Sequence, residues 1–212
     1  WMSAEFVDES LLRALLATVA DVFAEVRAYT TSPTTLVLLA SDAPVEPERD
    51  LPAVRRTLDA ARRHYARIGL HAPEHLVAAL ALDTPGVRAV AAGAPLVTDD
   101  ANRLATANRF SRGDGLDAAR VAALIAAHDP LIDPNGFVHR ELGGQLDFGY
   151  VWRRVDFWAG ADKAAALERL RALADALGES PQSALLRHQM AMRLREPAIA
   201  RAKLDWWRGE IA

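Results

Sequence analysis

Apolar residues recur along the first hundred positions with two different periods, and each period predicts a different element. Between Asp8 and Val26, the residues Leu11, Leu12, Leu15, Leu16, Val19, Val22 and Phe23 fall at i, i+3, i+4 and i+7. That spacing gathers them on one face of an amphipathic helix opened by an acidic cap region. Val26–Thr30 and Thr35–Ala40 are short β-branched and apolar runs flanking Thr31-Ser32-Pro33-Thr34, which predicts two strands around a turn. Leu36-Val37-Leu38-Leu39 is apolar at every position, as expected of a strand buried inside a sheet. After the proline-punctuated loop Ala43–Pro47, helical spacing resumes over Leu51–Ile68 through Val54, Leu58, Ala61, Tyr65 and Ile68. Arg55, Arg56, Arg62 and Arg63 mark its wetter side, and Gly69 is the expected C-cap. Pro73–Leu82 and Pro85–Ala92 read as two short helices, each with proline near its first turn.

The pattern changes after Ser111-Arg112-Gly113-Asp114-Gly115, which reads as a linker between residues 1–110 and residues 111–212. Leu116–His128 has helical spacing, Asp129–Gly136 is a proline- and aspartate-rich loop, and Phe137–Trp158 is aromatic-rich without a clear period. Three helices follow at Ala161–Leu177, Gln182–Arg195 and Ala198–Ile211, broken by Gly178 to Pro181 and by Pro197. Helices of similar length joined by short turns suggest a helical hairpin or the end of a helical repeat. The expected architecture is therefore an α/β N-terminal part followed by an all-α part, mainly α overall.

Composition narrows the chemistry. The 212 residues carry a net charge of −3, which argues against a general nucleic-acid surface. Cysteine is absent, so disulfides, thiolate nucleophiles and cysteine metal sites are excluded. No apolar run approaches the ~20 residues that span a bilayer, and no signal peptide is visible; a cytoplasmic location without membrane contact is the expectation for this segment. The chain opens Trp1-Met2, which is the start expected of a piece cut from a longer protein.

One stretch goes beyond fold class. The chain has Trp1-Met2, then the helix Glu9-Ser10-Leu11-Leu12-Arg13-Ala14-Leu15-Leu16-Ala17-Thr18-Val19 and Val22-Phe23-Ala24-Glu25, followed by the strand–turn–strand of Val26–Ala40. Ile68-Gly69-Leu70, Pro73-Glu74 and finally Ala94-Pro95-Leu96-Val97-Thr98-Asp99-Asp100 come after it. In order and spacing, residues 1–110 resemble the C-terminal half of the catalytic domain of spermidine-synthase-like proteins (the polyamine aminopropyltransferase family), in its large bacterial fusion-type members. Family members commonly have Asn-Thr-Asp-Asp at the last site; Val97 stands in place of the asparagine here. The resemblance implies the rear half of a Rossmann-like domain that binds S-adenosylmethionine or its decarboxylated form. It also implies transfer of an aminopropyl group from the sulfonium to a polyamine amine, with acidic residues holding the cationic substrate.

That chemistry needs a glycine-rich turn after a first strand and an acidic residue at the next strand end. Neither can be located: Gly113-Asp114-Gly115 follows Arg109-Phe110-Ser111-Arg112 rather than a buried strand. No catalytic, cofactor-binding or metal residue is therefore expected in this chain, with the cofactor site in a missing N-terminal half of the parent. Asp99 and Asp100 are the candidate substrate-binding residues, since paired carboxylates attract a cation; the plainer reading is a turn cap before Asn102–Ala107. His71 and His75 have i, i+4 spacing, but Pro73 between them suggests a helix start rather than a metal site. Asp129, Asp133 and Asn135-Gly136 fit Asx turns better than a calcium loop. Tyr150, Trp152, Phe157 and Trp158, interleaved with Arg153 and Arg154, suit either packing or a stacking surface. Trp206-Trp207 cannot both enter one core. The alternative to an enzyme-derived segment is a helical-repeat-like protein-interaction module over residues 116–212, with Arg187, Arg193, Arg195 and Arg201 toward an acidic partner.

Overall fold

The computed structural model describes residues 1–3, 8–32, 35–44, 50–100, 120, 123–125, 127–142, 145–147, 151 and 163–194. Within them the chain is mixed α/β and mainly helical. It begins with a two-residue strand β1 (Met2–Ser3), helix α1 (Glu9–Val22), and strands β2 (Glu25–Ser32) and β3 (Thr35–Ser41). Helices α2 (Leu51–Ala60), α3 (Arg62–Arg67) and α4 (Glu74–Ala79) lead to strand β4 (Leu80–Leu82) and helix α5 (Thr84–Ala91). A π-helical turn at Val138–Leu142 and helices α6 (Lys163–Ala176) and α7 (Pro181–Leu194) follow.

Helix α1 forms as its periodicity predicts, except that Val22, expected on the apolar face, is 63% exposed in the last turn. The Asp8 carboxylate accepts the Leu11 backbone N–H at 2.7 Å, satisfying one of the free first-turn donors. Leu11, Leu12, Ala14 and Leu16 are buried. They pack with Val26, Ala28 and Leu36 of the sheet and with Val87, Val90 and Ala91 of α5. Fully burying a leucine contributes roughly 1.5–3 kcal/mol, so this face is held by its side chains more than by helix propensity. Arg13 ties the two helices together, donating to Val90 O at 2.9 Å and Ala92 O at 3.0 Å.

The sheet order is β1-β3-β2-β4, and every neighbouring pair is antiparallel. Because β1 and β2 both oppose β3, they run parallel to each other, with α1 as the crossover between them. The period of two then sorts the side chains. Val26 and Ala28 face α1 and α5. Arg27 and Tyr29 face the other way, where Tyr29 packs against a second cluster that includes Leu51, Val77 and Leu80. This cluster also contains Leu131, Val138, Leu142, Leu146, Leu170, Leu173 and Leu186. One continuous core therefore joins α4 and β4 to the π-helical turn and to α6 and α7.

Several expectations change. β3 lies between β1 and β2 in the sheet order, but β1 pairs only with Thr35 and Leu36, and of the apolar run only Leu36 is fully covered while Leu39 is 39% exposed. The helix expected over Leu51–Ile68 breaks at Ala61 (φ −125°, ψ 35°). Its later periodic positions find no core: α3 has no buried residue and Ile68 is 66% exposed. Gly69 does close this arm with φ +74°, a left-handed conformation that glycine adopts at no steric cost. The helix expected over Pro73–Leu82 ends at Ala79, and Leu80-Ala81-Leu82 form β4 beside β2. Leu80 joins one core cluster and Ala81 and Leu82 the other, a two-sided burial that a strand serves better than a helical stripe. Strand β1 gave no periodic signal, being two residues long.

The expected helices Ala161–Leu177 and Gln182–Arg195 correspond to α6 and α7. They pack as a hairpin around the turn 177–180, fixed by Ser183 Oγ donating to Ala174 O at 2.7 Å and an Arg187–Asp175 ion pair. The 110/111 boundary, the Gly113-Asp114-Gly115 segment, Tyr150, Trp152–Trp158, Arg195, Arg201 and Trp206-Trp207 lie outside the described residues.

Candidate functional site

A cavity of about 970 Å³ opens between the start of β2, the first turn of α5 and the loop 127–137. The local sequence explains its walls. Asp83 precedes α5 and its carboxylate accepts the Gly86 N–H at 2.9 Å, while Pro85 occupies the first turn. Thr84 binds this turn to β2: its hydroxyl donates to Glu25 Oε2 at 2.7 Å and takes the Val26 N–H at 3.2 Å. Gly86 lets the loop approach, since a Cβ there would lie 3.1 Å from both His128 O and Asp83 Oδ1.

The opposite wall is built from two Asx turns. Asp129 Oδ1 accepts the Leu131 N–H and Asp133 Oδ1 the Asn135 N–H, each at 2.9 Å, which matches the turn reading of Asp129–Gly136. Nothing in the local sequence signals that Asp129 is buried. It is 4% exposed and its Oδ2 lies 2.6 Å from Arg169 Nε of α6. Burial pushes its carboxyl above the ordinary value, and the Arg169 guanidinium, the Leu131 N–H and the charge of His139 offset that only in part. His139 Nε2 sits 2.6 Å from Leu131 O, so the loop is fastened from two directions. Between the walls, the buried Arg27 guanidinium lies 5.1 Å from the centre of the Phe137 ring. At the rim, Arg88 donates to Ala24 O at 2.8 Å.

The cavity thus presents charges of both signs from Glu25, Arg27, Arg88, Asp133 and Arg140, a lining suited to a small polar ligand. Each of the carboxylates of Glu25, Asp83, Asp129 and Asp133 already holds an internal donor, so their first role is to shape the walls. Arg27 and Phe137 were not singled out in sequence, because they meet only when β2 and the 127–137 loop come together.

Asp99 and Asp100 are both exposed and do not line this cavity. They follow the segment 94–98, which is anchored where the Val97 N–H donates to Thr18 Oγ1 of α1 at 2.8 Å. Residues 102–107, which the cap reading requires, lie outside the described residues. His71 and His75 do approach, with ring centres 5.9 Å apart. His75 Nδ1, however, lies 3.2 Å from the His71 N–H and 3.1 Å from Gly69 O, and the pair shapes the turn into α4. Among the described residues, no group of three histidine, cysteine, aspartate or glutamate side chains is placed to hold a metal ion. Again among them, no helix is long and apolar enough to cross a membrane. Comparison with family models, curated proteins and solved structures returned no match to this chain.

Proposed function

We propose that residues 1–110 are the rear of a spermidine-synthase-like, Rossmann-type catalytic domain, and that residues 111–212 are a helical extension of it. The observation that carries this reading is the β1–α1–β2 crossover with β3 running antiparallel between its two strands. Parallel strands require a long crossover, usually helical, and doubly wound sheets often bear an antiparallel strand near one edge. In this role the chain supplies core and substrate-pocket wall. S-adenosylmethionine or its decarboxylated form would be held by strands outside these residues, so the polypeptide alone is not a catalyst. The parent reaction is aminopropyl transfer to a polyamine amine, or methyl transfer on a repurposed fold, with Asp99 and Asp100 as the carboxylates offered to a cationic substrate.

The coding DNA over roughly 100–150 codons before Trp1, the size of a half-domain, tests this directly. The expected result is a buried strand running into a glycine-rich turn, with an acidic residue about 20 positions later. A start codon close to Trp1, or an unrelated upstream sequence, overturns it.

A second reading has its own support in the α6–α7 hairpin, two helices of 14 residues each around a short turn. Such a pair is the unit of helical-repeat interaction platforms. Ligand-dependent melting separates the two. Spermidine bound at 100 times its Kd stabilises by about 2.7 kcal/mol, whereas an interaction module responds to none of spermidine, S-adenosylmethionine or its decarboxylated form.

A further inference from the structure

Two charges of opposite sign stand at a fixed interval on the inner wall of the cavity. Glu25 and Arg27 are two residues apart in β2 and both line it. Residues at that interval share a sheet face, with Cα atoms about 6.6 Å apart. Both are paired to β3, opposite Ser41 and Leu39, so the interval belongs to the sheet rather than to a loop. Each head is also held by a neighbour. The Thr84 hydroxyl donates to Glu25 Oε2 and takes only one of the lone-pair positions of that carboxylate. The Arg27 guanidinium lies over the Phe137 ring, and its fork of five N–H donors can serve a ligand alongside a partner within the fold. Glu25 is half-buried and Arg27 is buried, so both act where water screens them less than at the surface. The whole lining keeps the same balance. With Asp129 paired to Arg169, the described wall carries the carboxylates of Glu25, Asp83 and Asp133 and the guanidiniums of Arg27, Arg88 and Arg140. A lone cation or a lone anion is attracted by half of these groups and repelled by the other half. A molecule that carries both charges meets an opposite partner for each.

We infer that this cavity binds a small zwitterion, with its ammonium at Glu25 and its carboxylate at Arg27: the chemistry of an α- or ω-amino acid. The cavity of about 970 Å³ holds a molecule of that size together with bridging water. Selectivity comes from the strand. Because the two charges are fixed on β2, the charge separation of the ligand has to match theirs, and a molecule that is too short or too long forfeits one contact. The Phe137 ring lines the same space and offers apolar cover to the methylenes between the two charged ends. Arg88, Asp133 and Arg140 are exposed at the rim, where solvent screens them, so the inner pair carries the recognition. The inference goes beyond the family reading and does not depend on it, since Asp99 and Asp100 lie elsewhere than on this lining.

Amide NMR of the isotope-labelled 212-residue chain tests it, by titration with glycine, β-alanine, γ-aminobutyrate and ε-aminocaproate. Butylamine and butyrate serve as single-charge controls. The expected result is a saturable shift of the Gly86, Asn135 and Gly136 amides, which line the cavity. One length in the series should bind about tenfold more tightly than either control, since it makes one more charged contact. Glu25→Gln keeps an acceptor for the Thr84 hydroxyl and removes only the charge, so the variant should fold as the original does. It should weaken the best zwitterion by about tenfold and leave butyrate unchanged. Arg27→Gln should give the matching loss with butylamine unchanged; if that variant does not fold, Glu25→Gln and the two controls decide. Absence of a saturable shift at these amides with every member of the series overturns the inference. So does butylamine or butyrate binding as tightly as the zwitterions, because the cavity then reads a single charge. Equal affinity before and after Glu25→Gln overturns it as well.

Discussion

On one face of the sheet, α1 and α5 lay leucine, valine and alanine over Val26, Ala28 and Leu36. On the other, the same strand turns Glu25 and Arg27 toward a cavity and Tyr29 toward a second core cluster to which residues beyond position 130 contribute. The first face is closed by α1, adjacent to β2 in sequence, and by α5, which returns to it from beyond β4. The second is closed by segments a hundred residues away and held by ion pairs, Asx turns and a cation–π contact. A face built from local apolar repeats has stability to spare and little to bind with. A face built from distant polar contacts leaves a cavity and depends on a few charged groups. The candidate chemistry lies where the packing is least self-sufficient, as expected for binding sites at the junction of elements.

The comparison breaks first if the two faces respond alike to truncation. Leu12 and Leu16 are each 1% exposed, so Leu12→Ala or Leu16→Ala should cost about 2–5 kcal/mol, the transfer free energy plus the cavity left behind. Leu39→Ala, at a 39% exposed site on the other face, should stay within about 0.5–1 kcal/mol. Urea unfolding monitored by circular dichroism measures both. Equal losses would mean that Leu39 is covered in solution and that the faces do not differ in packing.

Those residues also show what could be read from the sequence. The first face was legible: the i, i+3, i+4 pattern from Leu11 onward, the Asp8 cap and the two strands reappear within a few positions of expectation, with Val22 turned to the outside. Local periodicity is enough for α1, β2 and β3, because they are consecutive elements. The second face was not legible. Arg27 sits in a strand pattern and Phe137 in a stretch without a period, and nothing local says that they meet at 5.1 Å. Asp129 could be identified as an Asx-turn residue, but its partner Arg169 lies forty positions on, in a helix whose spacing accounts only for its apolar residues. Leu80–Leu82 failed for the same reason: its pairing with β2 is a tertiary event that overrode the helical reading. Asp99 and Asp100 were legible as a motif, yet their neighbourhood beyond the Thr18 anchor rests on the resemblance alone.

A finer test uses Asp129, a buried charge of the second face that is 4% exposed. Its folded carboxyl titrates above the unfolded value of 3.8, because burial outweighs the attraction of Arg169. The folded chain therefore holds this proton more tightly than the unfolded chain. The stabilisation this provides is full below pH 3.8 and is lost as pH rises through the raised folded value. Other carboxylates drive the opposite trend, so the quantity to measure is the difference between the original chain and Asp129→Asn across about pH 3.5–7. The original should lose stability relative to the variant as pH rises, then run parallel to it. A constant difference would show that Asp129 ionises in the fold as readily as in the unfolded chain. Arg169→Met at pH 7 should be costlier, by about 2–3 kcal/mol, since it leaves a buried carboxylate without its cation; protonation of Asp129 keeps the loss below that of a carboxylate forced to remain charged.

The smallest effect is expected at the residues with the most to say about function. Asp99 and Asp100 are exposed and stand outside both core clusters, so Asp99→Asn with Asp100→Asn should change unfolding free energy by no more than about 0.5 kcal/mol. The anchor beneath them is different. Thr18→Val removes the acceptor of the Val97 N–H and should cost about 1 kcal/mol, loosening the segment that presents the pair. If the carboxylates serve a cationic substrate, the double asparagine variant keeps its melting temperature and loses any shift that spermidine produces, while Thr18→Val weakens both. If they only cap a turn, the double variant falls by about 1 kcal/mol, in the range of a lost cap, and spermidine discriminates between none of the three chains. The neutral variant is therefore the informative one: a pair whose charges matter to a ligand but not to the fold is a surface held in readiness, and a pair that matters only to the fold belongs with α1.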